Sequence, residues 1–540
     1  MTERSVDQQV DALMLALEDE YADAARTLGG VSWLHVHQVP VRRLLRRVVR
    51  RLSLQSDAPN GTPLGKRQGL VTVENSASFG YVIYDISGAG IRYLLDGVGE
   101  DLPVVDEHTG DTTTTVLDPL HLAATPVCAV SWSSRHADTL LPVLGELADR
   151  GLSTTVVDLA TEPDQRFPAA RSSGITVLRA PVGMLAAHGG LPAGALSASA
   201  VRRARVGPHE IPVSRLARLS SLVVLRSAGC TQPSWAAALW AEAWLDRVLA
   251  ESRSRALLCC NDISPLGVLA VRAAERVGAD TVYVQHGAWA SGQVAWRVRH
   301  CRHIAVMGAR DVVTAQEWPG SADARIHAVG QPRFDALATA DRARQRAYLE
   351  RLLADQAGTV PERIAVWACQ PTREPKLTAR FEAVADGVRK AGDRWGLVVA
   401  PHPAQRATAF AQFPRRTGGV AVAEPEVGAR GCLAGADALL SASSTCGIEA
   451  LLLDVPVLEL ALSDEPTLAL ADHGAAQRCT SGAEMAAALR RVDRTPEAVR
   501  VPAAVKKAVC RWDGRAAAAV ADIVTGALTP PRPLAATERQ

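Results

Sequence analysis

Apolar positions along this chain follow one spacing near the N-terminus and another from residue 125 onward, and each predicts different elements. Val6, Val10, Leu13, Met14 and Leu17 recur at helical spacing and predict a helix over residues 5–26. Residues 41–52, VRRLLRRVVRRL, place Val41, Leu44, Leu45, Val48, Val49 and Leu52 on one face and six arginines on the other. That pattern fits a basic amphipathic helix lying on an anionic membrane surface. It fits equally well a domain-packing helix with a solvated arginine face. Residues 53–66 are turn-rich, and 70–120 mix short β-like stretches, LVTV and YVIYDI, with Gly and Thr turns, as in a small subdomain or lid. The glycines of SGAGI, residues 87–91, read as a turn.

Further along, short continuous apolar runs alternate with helical patterns. PVCAVSW, STTVVDL, ITVLRA, ALLCC, TVYVQHG, HIAVMG and IHAVG form one series, with helices at about 137–150, 234–252 and 265–277 between members. Residues 338–360 have helical character and connect to a second series: RIAVWA, GLVVAPHP, GVAVAE, ADALLSAS and VPVLEL, with helices at about 377–391 and 445–453. A helical tail at about 502–527 precedes a Pro-rich end. Continuous apolar runs separated by helices argue for parallel strands buried on both faces. The predicted fold class is therefore α/β, with two doubly wound domains facing a cleft and an N-terminal extension. The expected boundaries are 1–120 for the helical and small β extension, 121–340 and 341–500 for the two domains, and 501–540 for the C-terminal helix and frayed tail.

Composition narrows the function classes. The 540 residues are 48% hydrophobic, which supports large cores. Lys+Arg 59 against Asp+Glu 57 gives a net charge of +2, so the global basic field of a nucleic-acid binder is missing. No apolar run reaches the length of a spanning helix, and the start lacks the order of a signal peptide. Ten scattered cysteines without a CxxC pair predict a reduced, cytoplasmic protein with no structural zinc. GxGxxG, Walker A and HExxH patterns are absent, so neither a dinucleotide cofactor nor a metal is expected.

In doubly wound folds, ligands bind beyond the carboxyl ends of the strands, and four polar motifs fall there. Gln285-His286-Gly287 follows TVYV and presents an imidazole that can act as a base near neutral pH. Pro401-His402-Pro403 follows GLVVA in the second series, with the prolines stiffening the backbone. Ser443, Ser444 and Thr445 stand where a strand gives way to a helix, and three hydroxyls exceed what N-capping needs, which favours a diphosphate cradle. Glu449, about one turn further, is a candidate for ribose or for solvent. Gly330-Gln331-Pro332-Arg333-Phe334-Asp335 offers Arg333 to a phosphate, while Asp335 either pairs with Arg333 or caps the next helix. Gln370, Thr372 and Arg373 add a polar loop after RIAVWA, as Ser131, Ser133, Ser134, Arg135 and His136 do after PVCAV.

The order VYVQHG, IAVMG, VGQPRFDAL, VVAPHP and LLSASSTCGIEALLLDVPVLEL resembles GT-B transferases of bacterial surface-carbohydrate biosynthesis, most of all the CDP-glycerol glycerophosphotransferase and capsule-polysaccharide transferase group. WDGRAAAAVADIV, 512–524, is similar to that group's C-terminal helix, and the resemblance covers about 255–525. It implies two Rossmann-like domains, the first for the acceptor and the second for a nucleotide donor. It implies His286 as the base near the acceptor hydroxyl and His402 as a contact to the donor diphosphate. Ser443, Ser444 and Thr445 match the phosphate loop, and Arg333 matches the arginine of the Gly-x-Pro-Arg-x-Asp segment. SSTCGIEA and HGAW depart from the polyol-phosphate pattern and point to a sugar as the transferred group. The expected function is a cytoplasmic glycosyltransferase, peripheral on the inner membrane face if 41–52 binds lipid. Its acceptor would be a sugar, a lipid-linked group or a small molecule, with no nucleic acid partner. A polyol-phosphate transferase and a nucleotide-sugar 2-epimerase on the same fold are the alternatives.

Overall fold

The computed structural model describes residues 3–54, 70–76, 81–98, 122–160, 164–169, 174–192, 194–197, 202–225, 232–290, 301–318, 323–371, 374–403, 405, 407–462 and 466–528. Arg373, Thr372, most of the predicted 53–66 loop and the Pro-rich end lie outside them. A hairpin of β1 (Val71–Ser76) and β2 (Tyr81–Ile86) precedes the first parallel sheet. That sheet contains β3 (Val127–Ser131), β4 (Thr154–Asp158) and β5 (Ile175–Arg179). A second hairpin, β6 (Arg203–Val206) and β7 (His209–Pro212), interrupts the series. The sheet then resumes with β8 (Ala256–Cys259), β9 (Asp280–Val284), β10 (His303–Val306) and β11 (Arg325–Ala328). The second parallel sheet holds β12 (Arg363–Ala368), β13 (Trp395–Ala400), β14 (Val420–Val422), β15 (Ala438–Ser441), β16 (Val457–Leu460) and β17 (Gln477–Cys479).

The spatial orders are β11-β10-β9-β8-β3-β4-β5 and β14-β13-β12-β15-β16-β17. Both sheets start in the middle and wind outward in two directions, which is the Rossmann-like arrangement. Strand order therefore reverses between β3 and β8 in the first sheet and between β12 and β15 in the second. Crevices open above the carboxyl ends at those two places.

Each central strand is buried on both faces because both faces are covered. Cys128 and Val130 of β3 join a core with the N-terminal helices, while Val127 and Ala129 join one with helices Ser134–Asp149 and Ala516–Leu528. The latter helix comes from beyond the second sheet and returns to the first. Asp335 fixes its start, accepting from Ala516 N–H at 3.1 Å and Ala517 N–H at 2.9 Å. It thus caps a distant helix; the next helix in sequence, Arg342–Ala357, is capped by Asp341. Gly330, at φ 95°, makes the turn into this segment where Arg511 O leaves no room for a Cβ.

Two N-terminal expectations are corrected. Helix Gln38–Leu54 does carry the amphipathic pattern, but Val41, Leu44, Leu45, Val48, Val49 and Leu52 are buried in the first core. Arg42 pairs with Asp11, Arg46 with Asp7 and Arg51 with Asp85. The apolar stripe is covered by the chain itself and is not available to insert into lipid, so the packing reading holds. SGAGI is not a turn: Ser87 caps helix Gly88–Asp96 through Gly90 N–H, and Gly90 sits where Leu70 O approaches too closely for a side chain.

Candidate functional site

The first crevice is built around His286, directly beyond β9. Its Nδ1 lies 2.7 Å from the carbonyl oxygen of Cys260, at the end of β8. A carbonyl only accepts, so the neutral ring carries its proton on Nδ1 and leaves Nε2 as the basic nitrogen. The backbone under this ring is fixed from below by Gln285, Gln331 and Asp311, which are all buried. Gln285 donates to Asp311 at 3.1 Å and to Gly287 O at 3.2 Å, and it accepts from Met307 N–H at 2.8 Å. Gln331 donates to Gln285 O at 2.6 Å. Burial pushes the Asp311 carboxyl up, against the pull of Arg310 and Gln285. A fully bonded buried network of this kind holds one loop conformation.

Above β3, Ser133 caps helix Ser134–Asp149 and brings His136 into the same crevice. The His136 ring packs edge-on against His286, with centroids 4.9 Å apart, and against Trp132 at 4.7 Å. Burial, then His286 and Arg135, hold His136 well below the usual imidazole range.

The second sheet supplies the opposite wall. Thr445 Oγ1 accepts from Ala288 N–H at 3.0 Å, joining the hydroxyl loop to the His-Gly turn across the cleft. Ser444 Oγ accepts from Cys446 N–H at 3.3 Å, Ser443 is half-buried, and Ser441 Oγ is buried without a hydrogen-bond partner. His402, beyond β13, donates its backbone N–H to the Gln405 side chain at 3.0 Å, and its carbonyl accepts from Gln405 N–H at 2.7 Å. Burial and then Arg135 of the first unit bring its imidazole down to about 4. Arg135 and His136 are neighbours on one helical turn, so that turn bears on both histidines.

Glu449 corrects its expectation. It faces neither solvent nor an open ribose site: at 1% exposure its carboxylate accepts from Arg333 at 3.0 Å and from Arg430 at 3.0 Å. Arg333 is likewise not presented to an open cleft; its side chain is 9% exposed, and Nε is buried without a partner. Burial pulls the Arg333 guanidinium down from its usual value, while Glu449 opposes that shift. Arg430 reaches on to Asp138 of the first unit at 3.5 Å. Arg430 and Asp138 escaped the sequence reading because neither belongs to a strand-end motif. His136 was visible there only as one of several polar residues after PVCAV. No group of His, Cys, Asp or Glu able to hold a metal is found among the described residues.

No family model matches the chain, and no curated protein matches it by sequence. Solved structures are similar in overall arrangement. A glycosyltransferase from Rickettsia africae shares 8% identity at a TM-score of 0.48, over 76% of this chain and 100% of its own. A UDP-GlcNAc 2-epimerase from Neisseria meningitidis bound to UDP-GlcNAc shares 12% at 0.46, over 74% and 99%. HepE of Anabaena in complex with UDP and glucose shares 12% at 0.43, over 75% and 100%. At such identities and TM-scores these likenesses assign no activity to this chain.

Proposed function

We propose that the chain is a glycosyltransferase that moves a sugar from a nucleotide-activated donor to an acceptor hydroxyl. One observation carries the reading: His286 is a strand-end imidazole whose Nδ1 is committed to the Cys260 carbonyl and whose turn meets a hydroxyl-rich loop of the other sheet. In this reading residues 121–340 take the acceptor and 341–500 the donor. The acceptor oxygen forms its bond to the anomeric carbon as the bond from that carbon to the diphosphate oxygen breaks. The hydroxyl proton passes to His286 Nε2. Charge on the departing diphosphate is met by His402, Ser443, Ser444, Thr445 and Arg333, with Arg373 as a further candidate. Thr445 must first release Ala288, and Arg333 must share Glu449 with Arg430, so donor entry requires the two walls to part. On the first-domain side Asp138 is held by Arg166 at 2.5 Å and by Arg430. That supports transfer over epimerisation, which needs acid–base groups around the sugar itself.

The test is a panel of UDP-, GDP-, CDP- and dTDP-sugars, with and without acceptors, followed by mass spectrometry. Transfer releases a nucleoside diphosphate and depends on the acceptor. An epimer formed from one nucleotide sugar alone would identify an epimerase, and CMP released from CDP-glycerol would identify polyol-phosphate transfer. His286→Ala and His402→Ala should each lower turnover roughly 10²–10³-fold. Full turnover in His286→Ala would remove the proposed base. Absence of any thermal shift with UDP, CDP, GDP and dTDP would favour a non-enzymatic assembly role.

A further inference from the structure

His136 is a buried histidine that the transfer scheme above does not use. It is 3% exposed, it lies in the first turn of helix Ser134–Asp149, and its Nδ1 is buried without a hydrogen-bond partner. A ring in this position that served only to fill space would do so at lower desolvation cost without the nitrogens. Its setting is specific. Trp132 and His286 both pack against it in T-shaped contacts, at interplanar angles of 78° and 72°. The three rings form a continuous edge-to-face row from the end of β3 to the turn beyond β9.

We propose that His136 is a positioning residue for His286: its neutral ring fixes the plane of the His286 imidazole and faces the positive charge that imidazole gains on taking a proton. The proposal rests on the reading of His286 as a base. His286 Nδ1 already carries a proton toward Cys260 O, so a second proton on Nε2 makes the ring a cation. A cation within about 6 Å of an aromatic face is attracted to it, most of all where water is excluded. The centroid separation of 4.9 Å lies within that distance. The attraction requires His136 to stay uncharged. Burial and the nearby Arg135 disfavour its protonation, and the same row offers it no carboxylate to pair with. Among the described residues, the groups bearing on this pair include Trp132 beyond β3, Arg135 on the helix, which also acts on His402, and the carbonyl of Cys260 beyond β8, a residue itself within reach of Arg333.

The test reads the imidazole directly and needs no substrate, so it can fail independently of the transferase reading. The full chain is labelled at histidine ¹³Cε1 and ¹⁵N, and the His286 signal is assigned by its loss in His286→Asn. Its titration midpoint is then followed in the wild type, His136→Phe and His136→Leu. Phe keeps an aromatic face, whereas Leu keeps bulk without one. The expected result is a His286 midpoint lower by roughly half a pH unit in His136→Leu and restored in His136→Phe, the size an exposed to partly buried cation–π contact supports. A midpoint in His136→Leu that is unchanged or raised would overturn the proposal. So would an equal fall in both variants, which would reduce His136 to packing.

Discussion

His402 combines a stiff backbone with a ring that burial and Arg135 keep neutral until the pH nears about 4. In the unfolded chain the same ring titrates near 6.5. Between those values the unfolded state holds more protons than the folded one, so stability rises with pH across the window and is lost as acid is added. Buried His35 and His37, also brought down to about 4 by burial, act in the same direction. Urea midpoints measured from pH 7 to 4.5 should therefore fall, and His402→Gln should make the fall shallower. Identical slopes in the two proteins would mean that the ring stays hydrated in the fold. At neutral pH such a histidine has one N–H to offer an anion. Arg333 and Arg430 are gathered on the carboxylate of Glu449, and Arg430 reaches Asp138 as well.

At the scale of elements, patterning decided what could be read in advance. Strands such as β3, β9 and β13 are flanked by helices on both sides, so their apolar runs are unbroken and stand out from the sequence. The hairpin β6–β7 was missed because RARV and HEIP are partly exposed and carry charge within each strand. The helix Gly88–Asp96 was missed because its glycines signal a turn, and the reason for Gly90 is a long-range approach by Leu70 O. Strand-end histidines were legible for the same reason as the strands, whereas the Glu449–Arg430–Asp138 chain depends on three elements whose meeting no local spacing encodes. Helix Gln38–Leu54 makes the same point: its amphipathic stripe was plain, but what covers the stripe was not. Because that cover is the chain's own core, Leu45→Ala should cost about 2–5 kcal/mol, seen as a lower urea midpoint at unchanged slope. Loss of vesicle binding with little change in stability would instead place this face in lipid.

Across the whole molecule, the two sheets are joined over the cleft by contacts of unequal character. Ala288 N–H donates to Thr445, and Arg310 donates to the Leu468 carbonyl at 3.0 Å. Arg430 faces Asp138 at 3.5 Å with both side chains partly exposed. Surface ion pairs contribute about 0–1 kcal/mol and weaken in salt, so the hydrogen bonds and shared packing should dominate closure. The radius of gyration by small-angle scattering should then be unchanged between 50 mM and roughly 500 mM salt, where the Debye length shrinks to a few ångströms. An increase in size at high salt would show that charge holds the walls together.

The returning helix Ala516–Leu528 lays Ala517, Val520, Ala521 and Val524 against Val127, Ala129, Leu258 and Val282 of the first sheet. A nascent chain leaving the ribosome has made all seven strands of that sheet once Ala328 is out, and helix Ser134–Asp149 can already cover part of this side, yet the part under the returning helix stays bare until these late residues emerge. At about 5–20 residues per second the delay is roughly 10–40 s. Throughout it, an oily face is open to chaperones and to sticking, so this protein's yield in a cell depends on how that interval is guarded.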